Sequence, residues 1–120
     1  MNEAGVAKIQ ASADGVTLIN VYEVEPEHQA ELSRLLSEVT EAAIRKQPGF
    51  VSVSVHSSFD GKHVVNYAQW TSKADFENFM KAPGTLDQLK RFAALAKSVS
   101  PALYRVDAVH TVDRGAQPAR

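Results

Sequence analysis

The segment His63-Val-Val-Asn-Tyr-Ala-Gln-Trp70 has the alternating pattern of a β-strand with one buried face. Side chains alternate between the two faces of a strand. One face therefore carries Val64, Asn66, Ala68 and Trp70, and it is apolar except for Asn66. Burying an unpaired amide costs a few kcal/mol, so Asn66 needs hydrogen-bond partners. We interpret it as a structural hydrogen-bonding residue or as a contact to a ligand.

The turn that presents this strand is predicted at Asp60-Gly61, between two valine-rich runs. Such a dipeptide is typical of a two-residue hairpin turn. Pairing outward from it opposes Val55 to Asn66, Val53 to Ala68 and Val51 to Trp70. This register gathers the valines on the face of Asn66 and Trp70. The other face is mixed, with His56 and Tyr67, and is better suited to water or a partner subunit than to a dry core.

Composition limits the possible classes of function. The chain has 120 residues, of which 44% are hydrophobic and 22% charged, so it is expected to form one globular domain. Its formal net charge of -1 provides no basic field for nucleic acid or an anionic membrane. The chain contains no cysteine, which excludes disulfides and thiolate chemistry. Without an apolar leader or a membrane-spanning run, we expect a cytoplasmic protein.

The first half of the chain is predicted to form a strand and a helix. In the strand, from Val16 to Val24, Asn20 and Tyr22 lie on an otherwise apolar face, so that Asn20 repeats the feature seen at Asn66. The helix runs from about Glu27 to Lys46, because leucines recur there at helical spacing and Pro48-Gly49 follows.

The second half is predicted to contain a hairpin, two short helices and a last strand. Ser72 and Asp75 form a pattern typical of a helix start, and Phe76, Phe79 and Met80 point inward from this helix. After an interruption at Pro83-Gly84, a second helical stripe carries Leu86, Leu89, Phe92, Ala93 and Ala96 to about Lys97, and Pro101 ends it. The last strand is predicted over residues 102–112.

This order of elements predicts an α+β, ferredoxin-like split β-α-β fold, an antiparallel sheet with helices on one face. We expect the domain to span residues 14–112, with a flexible arm over residues 1–13 and a disordered tail over residues 113–120. One sheet face stays uncovered, and its mixed character and the exposed sheet edges favour a homodimer formed sheet to sheet.

The runs Phe50 to His56, Asp60-Gly61 and Val64 to Trp70 resemble the antibiotic biosynthesis monooxygenases, a family of dimeric α/β barrels. The similarity extends over residues 16–112. Within the family, the Asn-Tyr-Ala-Gln-Trp sequence is most similar to the cofactor-independent anthrone oxygenases of aromatic polyketide pathways. The resemblance implies a monooxygenase that oxidises a polycyclic phenol or anthrone to a quinone with molecular oxygen, with no cofactor.

The resemblance also implies site residues. Asn66 and Trp70 match the asparagine and tryptophan that line the family's pocket, and Asn20 matches an asparagine that related members use in the first strand; these three are the predicted catalytic residues. The predicted substrate-binding residues are Tyr22, Phe76, Phe79, Met80, Lys90 and Phe92. Two of them depart from the family pattern, because Phe76 replaces a tyrosine and Lys90 replaces an arginine.

Alternatives remain open at the level of sequence. A dimeric barrel of this kind can be a non-enzymatic or stress-related module that binds a small apolar ligand, or an isomerase that deprotonates an activated ring. Haem degradation uses a histidine ligand in the second helical region, and no histidine occurs between His63 and His110. The four histidines form no spaced ligand set with carboxylates, so no metal site is predicted.

Overall fold

The computed structural model describes residues 5–11 and 13–112. Its strands and helices are, in chain order, β1 (Val16–Glu23), α1 (Gln29–Ala42), β2 (Phe50–Ser57), β3 (His63–Trp70), α2 (Lys73–Lys81), α3 (Thr85–Ala93) and β4 (Ser98–Tyr104). The strands form one sheet in the order β2-β3-β1-β4, and every neighbouring pair is antiparallel. The α+β, ferredoxin-like prediction is therefore confirmed.

The two central strands have the alternation that the sequence predicted. In β3, Val64, Asn66, Ala68 and Trp70 are buried, and the residues between them are only partly buried. β1 pairs with β3 so that Asn20 lies opposite Asn66 and Tyr22 lies opposite Val64. The helices cover this face, because Leu32, Leu36, Phe79 and Phe92 belong to the same buried cluster as the inward side chains of the sheet. Both asparagines are thus fixed under the helical layer.

The hairpin register is confirmed near its centre and wrong at its far end. Val55 lies opposite Asn66 and Val53 opposite Ala68, but Phe50 rather than Val51 lies opposite Trp70. A β-bulge between Phe50 and Ser52 places one extra residue in β2, and Val51 is consequently half exposed. The connection is also longer than two residues, since it runs over 58–62, although Gly61 has the expected positive φ of 82°.

The first helix is shorter than predicted. The α-helical part is Gln29–Ala42, and separate 3-10 turns occupy Pro26–His28 and Ile44–Lys46. Ala43 breaks the α-helical geometry, with φ −136°. The predicted apolar stripe is nevertheless correct, because Leu32, Leu36 and Val39 are buried. The extra turns therefore change the ends of the helix without changing the face that packs on the sheet.

The predicted start of α2 is confirmed, whereas the predicted end of α3 is wrong. The Ser72 hydroxyl accepts a hydrogen bond from the Asp75 amide at 3.1 Å, as in an N-cap. Gly84 separates α2 from α3 with φ 86°. α3 ends at Ala93 instead of Lys97, and the next residues form turns. Leu86, predicted to point inward, is 62% exposed.

The last strand starts earlier and ends earlier than predicted. β4 pairs with β1 from Ser98, opposite Glu23, to Tyr104, opposite Thr17. Pairing stops there because β1 itself begins at Val16, so residues 105–112 have no neighbouring strand. Pro101 lies inside β4 and does not end a helix. An edge strand tolerates proline, because its missing N–H needs no partner on the open side.

Part of the outer sheet face, opposite the helices, is lined by the N-terminal arm. Gly5, Ala7 and Ile9 lie beside His56 and Tyr67. The predicted flexible arm includes residues 1–4 and 12, and the predicted disordered tail is 113–120; these residues lie outside the described part of the chain. Within the described part, no helix is long and apolar enough to cross a bilayer.

Candidate active site

A cavity of about 170 Å³ lies between the sheet and the two short helices, next to the edge strand β4. On the sheet side, its wall consists of Leu18, Asn20 and Tyr22 from β1, and of Val99 and Pro101 from β4. These residues share the inward face of the sheet because they occupy alternate positions in two paired strands. Only Asn20 and Tyr22 bring polar side-chain atoms to the cavity, and they are two residues apart.

The helix side of the cavity is apolar. Phe76, Phe79 and Met80 come from α2, and Leu89 and Ala93 come from α3. Phe79 is buried, whereas Met80 is 41% exposed and lies at the mouth. The wall therefore combines rigid aromatic rings with one flexible thioether side chain, which can adapt to ligands of different shape. An apolar pocket with few polar groups on one side is typical of a site for a small aromatic molecule.

Trp70 lies in the layer directly behind this wall. Phe79 stacks on the indole ring, with centroids 4.8 Å apart and an angle of 26° between planes. Phe50 and Phe76 contact the indole edge to face, at centroid distances of 5.8 Å and 6.3 Å. Because Phe79 covers one face of the indole, Trp70 shapes the cavity mainly through the ring that it supports.

Two buried polar atoms on the inward face of β3 have no hydrogen-bond partner within the described chain: Asn66 Oδ1 and Trp70 Nε1. They belong to the same face of β3, four residues apart. An unsatisfied buried donor or acceptor costs about 1–3 kcal/mol. Because most buried polar groups in native proteins are paired, this acceptor and this donor are candidate contacts for a ligand.

Tyr22 and Asn20 form the polar strip of the cavity. Tyr22 is only 3% exposed, and this burial raises its pKa to about 12, although a hydrogen bond with the Asn20 side chain lowers it in part. The phenol is therefore neutral at any pH at which an enzyme works. Asn20 is also the direct cross-strand neighbour of Asn66. The three side chains form a polar row that crosses the sheet beneath the helices.

The structure brings together most of the predicted site residues, at different depths. Asn20, Tyr22, Phe76, Phe79 and Met80 line the cavity. Asn66, Trp70 and Phe92 are buried but are not among its lining residues. Lys90, also predicted to bind substrate, is exposed on α3 and lies outside the lining of the cavity.

Five lining residues were not predicted as site residues: Leu18, Leu89, Ala93, Val99 and Pro101. Val99 and Pro101 were missed because the helix was predicted to end at about Lys97 and the strand to begin at Ala102, which left residues 98–101 outside the sheet. The alternation of serine and apolar residues over 98–102 is the signal that could have placed this strand correctly. Leu89 and Ala93 were correctly placed on the helical stripe, but periodicity alone does not separate core from pocket wall.

The cavity offers no side chain that titrates near neutral pH. Its lining contains no carboxylate and no histidine. His56, the nearest candidate base in the sequence, pairs with Val65 and lies on the outer sheet face, as the register predicted. Over the part of the chain that the structure describes, no group of three or more His, Cys, Asp or Glu residues is arranged to hold a metal ion.

A larger cavity of about 370 Å³ lies at the end of the sheet, where the N-terminal arm passes. Lys8, Gln10, Thr17 and Gln69 are among its lining residues, and Trp70 borders it. This space is mainly polar and contacts neither asparagine of the polar row. The smaller apolar cavity is therefore the better candidate for an aromatic ligand.

Sequence comparison places these features among known proteins. A family model described as "Antibiotic biosynthesis monooxygenase" matches residues 15–100. Tetracenomycin-F1 monooxygenase from Streptomyces glaucescens is 56% identical over 71 residues, which cover 59% of this chain and 63% of that protein. The matched stretch thus spans less than two thirds of this relative.

Structure comparison finds the same fold in solved proteins. SnoaB, a cofactor-independent oxygenase from Streptomyces nogalater, aligns with a TM-score of 0.71 and 28% identity over 81% of this chain and 97% of its own. The ActVA-Orf6 monooxygenase from Streptomyces coelicolor, solved with nanaomycin D, aligns with a TM-score of 0.76 and 27% identity over 82% and 93% of the two chains.

Proposed function

The chain belongs to the antibiotic biosynthesis monooxygenase family, and from this premise we propose that it oxidises a polycyclic phenol or anthrone to a quinone with molecular oxygen. We further propose that the reaction uses no flavin and no metal. The similarity to a cofactor-independent oxygenase and to a monooxygenase solved with nanaomycin D supports this proposal.

The observation that carries the proposal is a pair of unpartnered atoms in the layer of side chains behind the wall of the apolar cavity. Asn66 Oδ1 accepts hydrogen bonds and Trp70 Nε1 donates them, and both are buried without a partner among the residues that the structure describes. A fold that only needed to pack would gain stability by placing apolar groups there. An oxygenated aromatic ligand carries the hydroxyl donors and carbonyl acceptors that these two atoms lack, on a flat apolar body.

The reaction itself requires little from the protein. An anthrone loses a proton from its methylene carbon and becomes an enolate, which passes one electron to oxygen. The two radicals combine at that carbon to form a peroxide, and loss of water leaves a carbonyl. One oxygen atom thus enters the product, and the other leaves as water together with the two methylene hydrogens. The substrate supplies all the electrons, so no external reductant is needed.

The protein's contribution is to bind the aromatic in a dry site and to stabilise its anion. Preorganised amide donors stabilise developing charge more effectively than water does. We assign this role to the amide N–H groups of Asn20 and Asn66, which lie side by side in the sheet. Asn66 Oδ1 then accepts a hydrogen bond from a substrate hydroxyl, and Trp70 Nε1 donates to an oxygen of the substrate or peroxide. Phe76, Phe79 and Met80 provide the apolar wall.

No lining side chain is placed to act as a general base, so deprotonation falls to hydroxide or to a phenolate of the substrate itself. This assignment accounts for Phe76 and for the exposed Lys90, because neither a tyrosine hydroxyl nor a guanidinium takes part. The cavity of about 170 Å³ holds one edge of a polycyclic molecule, and the other edge lies against Met80 at the mouth.

Oxygen uptake and quinone absorbance test the proposal directly. Metal-stripped protein is mixed with 1,8-dihydroxyanthrone, and autoxidation in buffer is subtracted. We expect uptake well above background that survives a chelator and falls by about tenfold or more in Asn66→Ala, as for loss of an oxyanion donor. The rate of oxygen uptake should fall in Trp70→Phe as well. Tyr67→Phe, which changes a side chain on the outer sheet face, is the matched control and should keep the wild-type rate. Uptake no faster than in buffer, despite binding of the anthrone, would leave a ligand-binding protein as the better interpretation.

We also propose that the protein is a homodimer that buries the outer sheet face. Val21 and Tyr104 are exposed on this face, at 36% and 50%, beside the partly buried Ile19 and Val65. These side chains lie on adjacent strands and form a continuous apolar strip. Burying such a strip against a second copy removes apolar surface from water, as in other two-fold interfaces.

A further inference from the structure

We propose that the Tyr22 hydroxyl recognises an oxygen substituent on the edge of the substrate, and that this side chain selects polyhydroxylated aromatics over their unsubstituted analogues. This inference rests on the proposed function, because it concerns the same cavity. It adds a specificity residue on β1, outside the strand that carries Asn66 and Trp70. Its basis is the one-sided distribution of polar groups in the cavity.

The polar groups of the cavity lie on one strand. Asn20 and Tyr22 occupy positions i and i+2 of β1, so both side chains leave the same face, and their Cα atoms are separated by about 6.7 Å along the strand. Every other lining side chain is apolar. A ligand that fills this cavity can therefore form hydrogen bonds with lining side chains along one edge only. An aromatic with its oxygen atoms in a row on one edge fits this arrangement.

The hydroxyl of Tyr22 has a polar neighbour in Asn20, two residues away on the same face of β1. A hydrogen bond with the Asn20 side chain lowers the pKa of the phenol in part. A phenol has one donor hydrogen and accepting lone pairs, so Tyr22 can donate its O–H hydrogen to a ligand oxygen while its own oxygen accepts from another group. Because burial keeps the phenol neutral, this donor is present throughout the working pH range.

The position of Tyr22 also distinguishes its role from that of Asn66. Tyr22 lies opposite Val64 and Val99 in the two neighbouring strands, so apolar residues flank it on both sides. It lines the cavity directly, whereas Asn66, on the neighbouring strand β3, is not a lining residue. A hydroxyl in such surroundings discriminates strongly, since a substrate that lacks the matching oxygen leaves the buried donor unpaired. Tyr22 is thus expected to govern selection and Asn66 the chemical step.

The experiment compares two substrates in three proteins. The kcat/KM values for 1,8-dihydroxyanthrone and for unsubstituted anthrone are measured with wild type, Tyr22→Phe and the control Tyr67→Phe. The ratio of the two values within one protein contains the intrinsic reactivity of the substrates, which cancels when proteins are compared. We expect the kcat/KM for 1,8-dihydroxyanthrone divided by that for anthrone to fall about three- to tenfold in Tyr22→Phe, which is the effect of one neutral hydrogen bond. The same ratio should be unchanged in Tyr67→Phe.

Binding of the corresponding quinones gives a readout that does not depend on turnover. The affinities of 1,8-dihydroxyanthraquinone and of anthraquinone are measured by quenching of the Trp70 fluorescence. A selectivity that differs by less than twofold between wild type and Tyr22→Phe, in binding and in turnover, would overturn the assignment. If wild type oxidises neither anthrone, the proposed function fails, while the quinone affinities still decide the role of Tyr22. Retention of the wild-type circular dichroism spectrum by Tyr22→Phe shows that the comparison is between folded proteins.

Discussion

Asn20 and Asn66 are direct cross-strand partners in β1 and β3, and both are buried beneath the helices. Directly opposed residues in an antiparallel pair have Cβ atoms about 4.5–5.5 Å apart, so the two amides are close neighbours. Their surroundings differ. Asn20 hydrogen-bonds with Tyr22, whereas Asn66 Oδ1 has no partner in the described chain. This difference separates an amide that the fold satisfies from one whose oxygen has no partner among the described residues.

Replacing Asn66 with leucine should therefore stabilise the protein while it abolishes activity. Removing an unpaired buried acceptor relieves a desolvation cost, and we expect the free energy of unfolding to rise by about 1 kcal/mol. Asn20→Leu is the matched control, because it leaves the Tyr22 hydroxyl without its partner and should lower the same quantity by about 1 kcal/mol. Urea denaturation measures the free energy of unfolding of both variants and of wild type. Equal destabilisation by the two substitutions would contradict the assignment.

The rate of oxidation should follow the acidity of the substrate, not that of the protein. No carboxylate or histidine lines the cavity, and the pKa of Tyr22 is about 12. We therefore expect kcat/KM to rise with pH and to level off above the pKa of the free anthrone, with no inflection that belongs to a side chain of the cavity. Two anthrones of different acidity should give midpoints that differ accordingly. A common midpoint for both substrates would instead indicate a base on the protein.

The raised pKa of Tyr22 also predicts how stability depends on pH. Its pKa is 10.0 when unperturbed and about 12 in the fold, so the unfolded chain loses this proton first. The contribution to stability is complete below pH 10 and is lost as pH rises through 12, an effect of about 2–3 kcal/mol. Wild type should therefore lose that much more stability than Tyr22→Phe between about pH 9 and 12. The free energy of unfolding of both proteins is measured by urea denaturation across this pH range. An equal loss of stability in wild type and Tyr22→Phe would show that the Tyr22 hydroxyl is solvated in the folded protein.

The proposed dimer can be tested by placing a charge on the outer sheet face. Val21→Lys puts an ammonium group in the middle of the apolar strip, where a second copy would have to bury it. Light scattering at micromolar concentration should give twice the chain mass for wild type and the chain mass for Val21→Lys. Leu86→Lys, an equally charged change at an exposed position of α3, should leave the mass unchanged. A monomeric wild type would refute the dimer.

Gly49 and Gly84 should differ in their tolerance of alanine. Both have positive φ, 83° and 86°, which costs an L-residue roughly 1–2 kcal/mol. At Gly84 an added Cβ meets nothing within 4 Å, but at Gly49 it would overlap the side chain of Asp75, whose carboxylate accepts hydrogen bonds from the Thr71 and Ser72 hydroxyls at the start of α2. Gly49→Ala should therefore lower the free energy of unfolding roughly twice as much as Gly84→Ala. Similar losses would show that the Asp75 side chain moves aside freely.

Local patterns in the sequence were sufficient for much of this structure. Strict alternation in His63–Trp70 identified the buried face, and the Asp60-Gly61 turn gave the register that places Val55 opposite Asn66. The capping pattern at Ser72 and Asp75 located the start of α2. These predictions succeeded because each depends on residues near one another in the chain, where spacing alone decides which side chains share a face.

The sequence by itself thus determined the order of elements, the inward face of each central strand and the placement of Asn20, Asn66 and Trp70 on that face. Only the tertiary structure decided which of these side chains reach the cavity. The bulge that exposes Val51, the extent of β4 and the stacking of Phe79 on Trp70 all depend on partners distant in the chain. Periodicity specifies the direction of a side chain, but whether that direction ends in core, cavity or solvent depends on what packs against it.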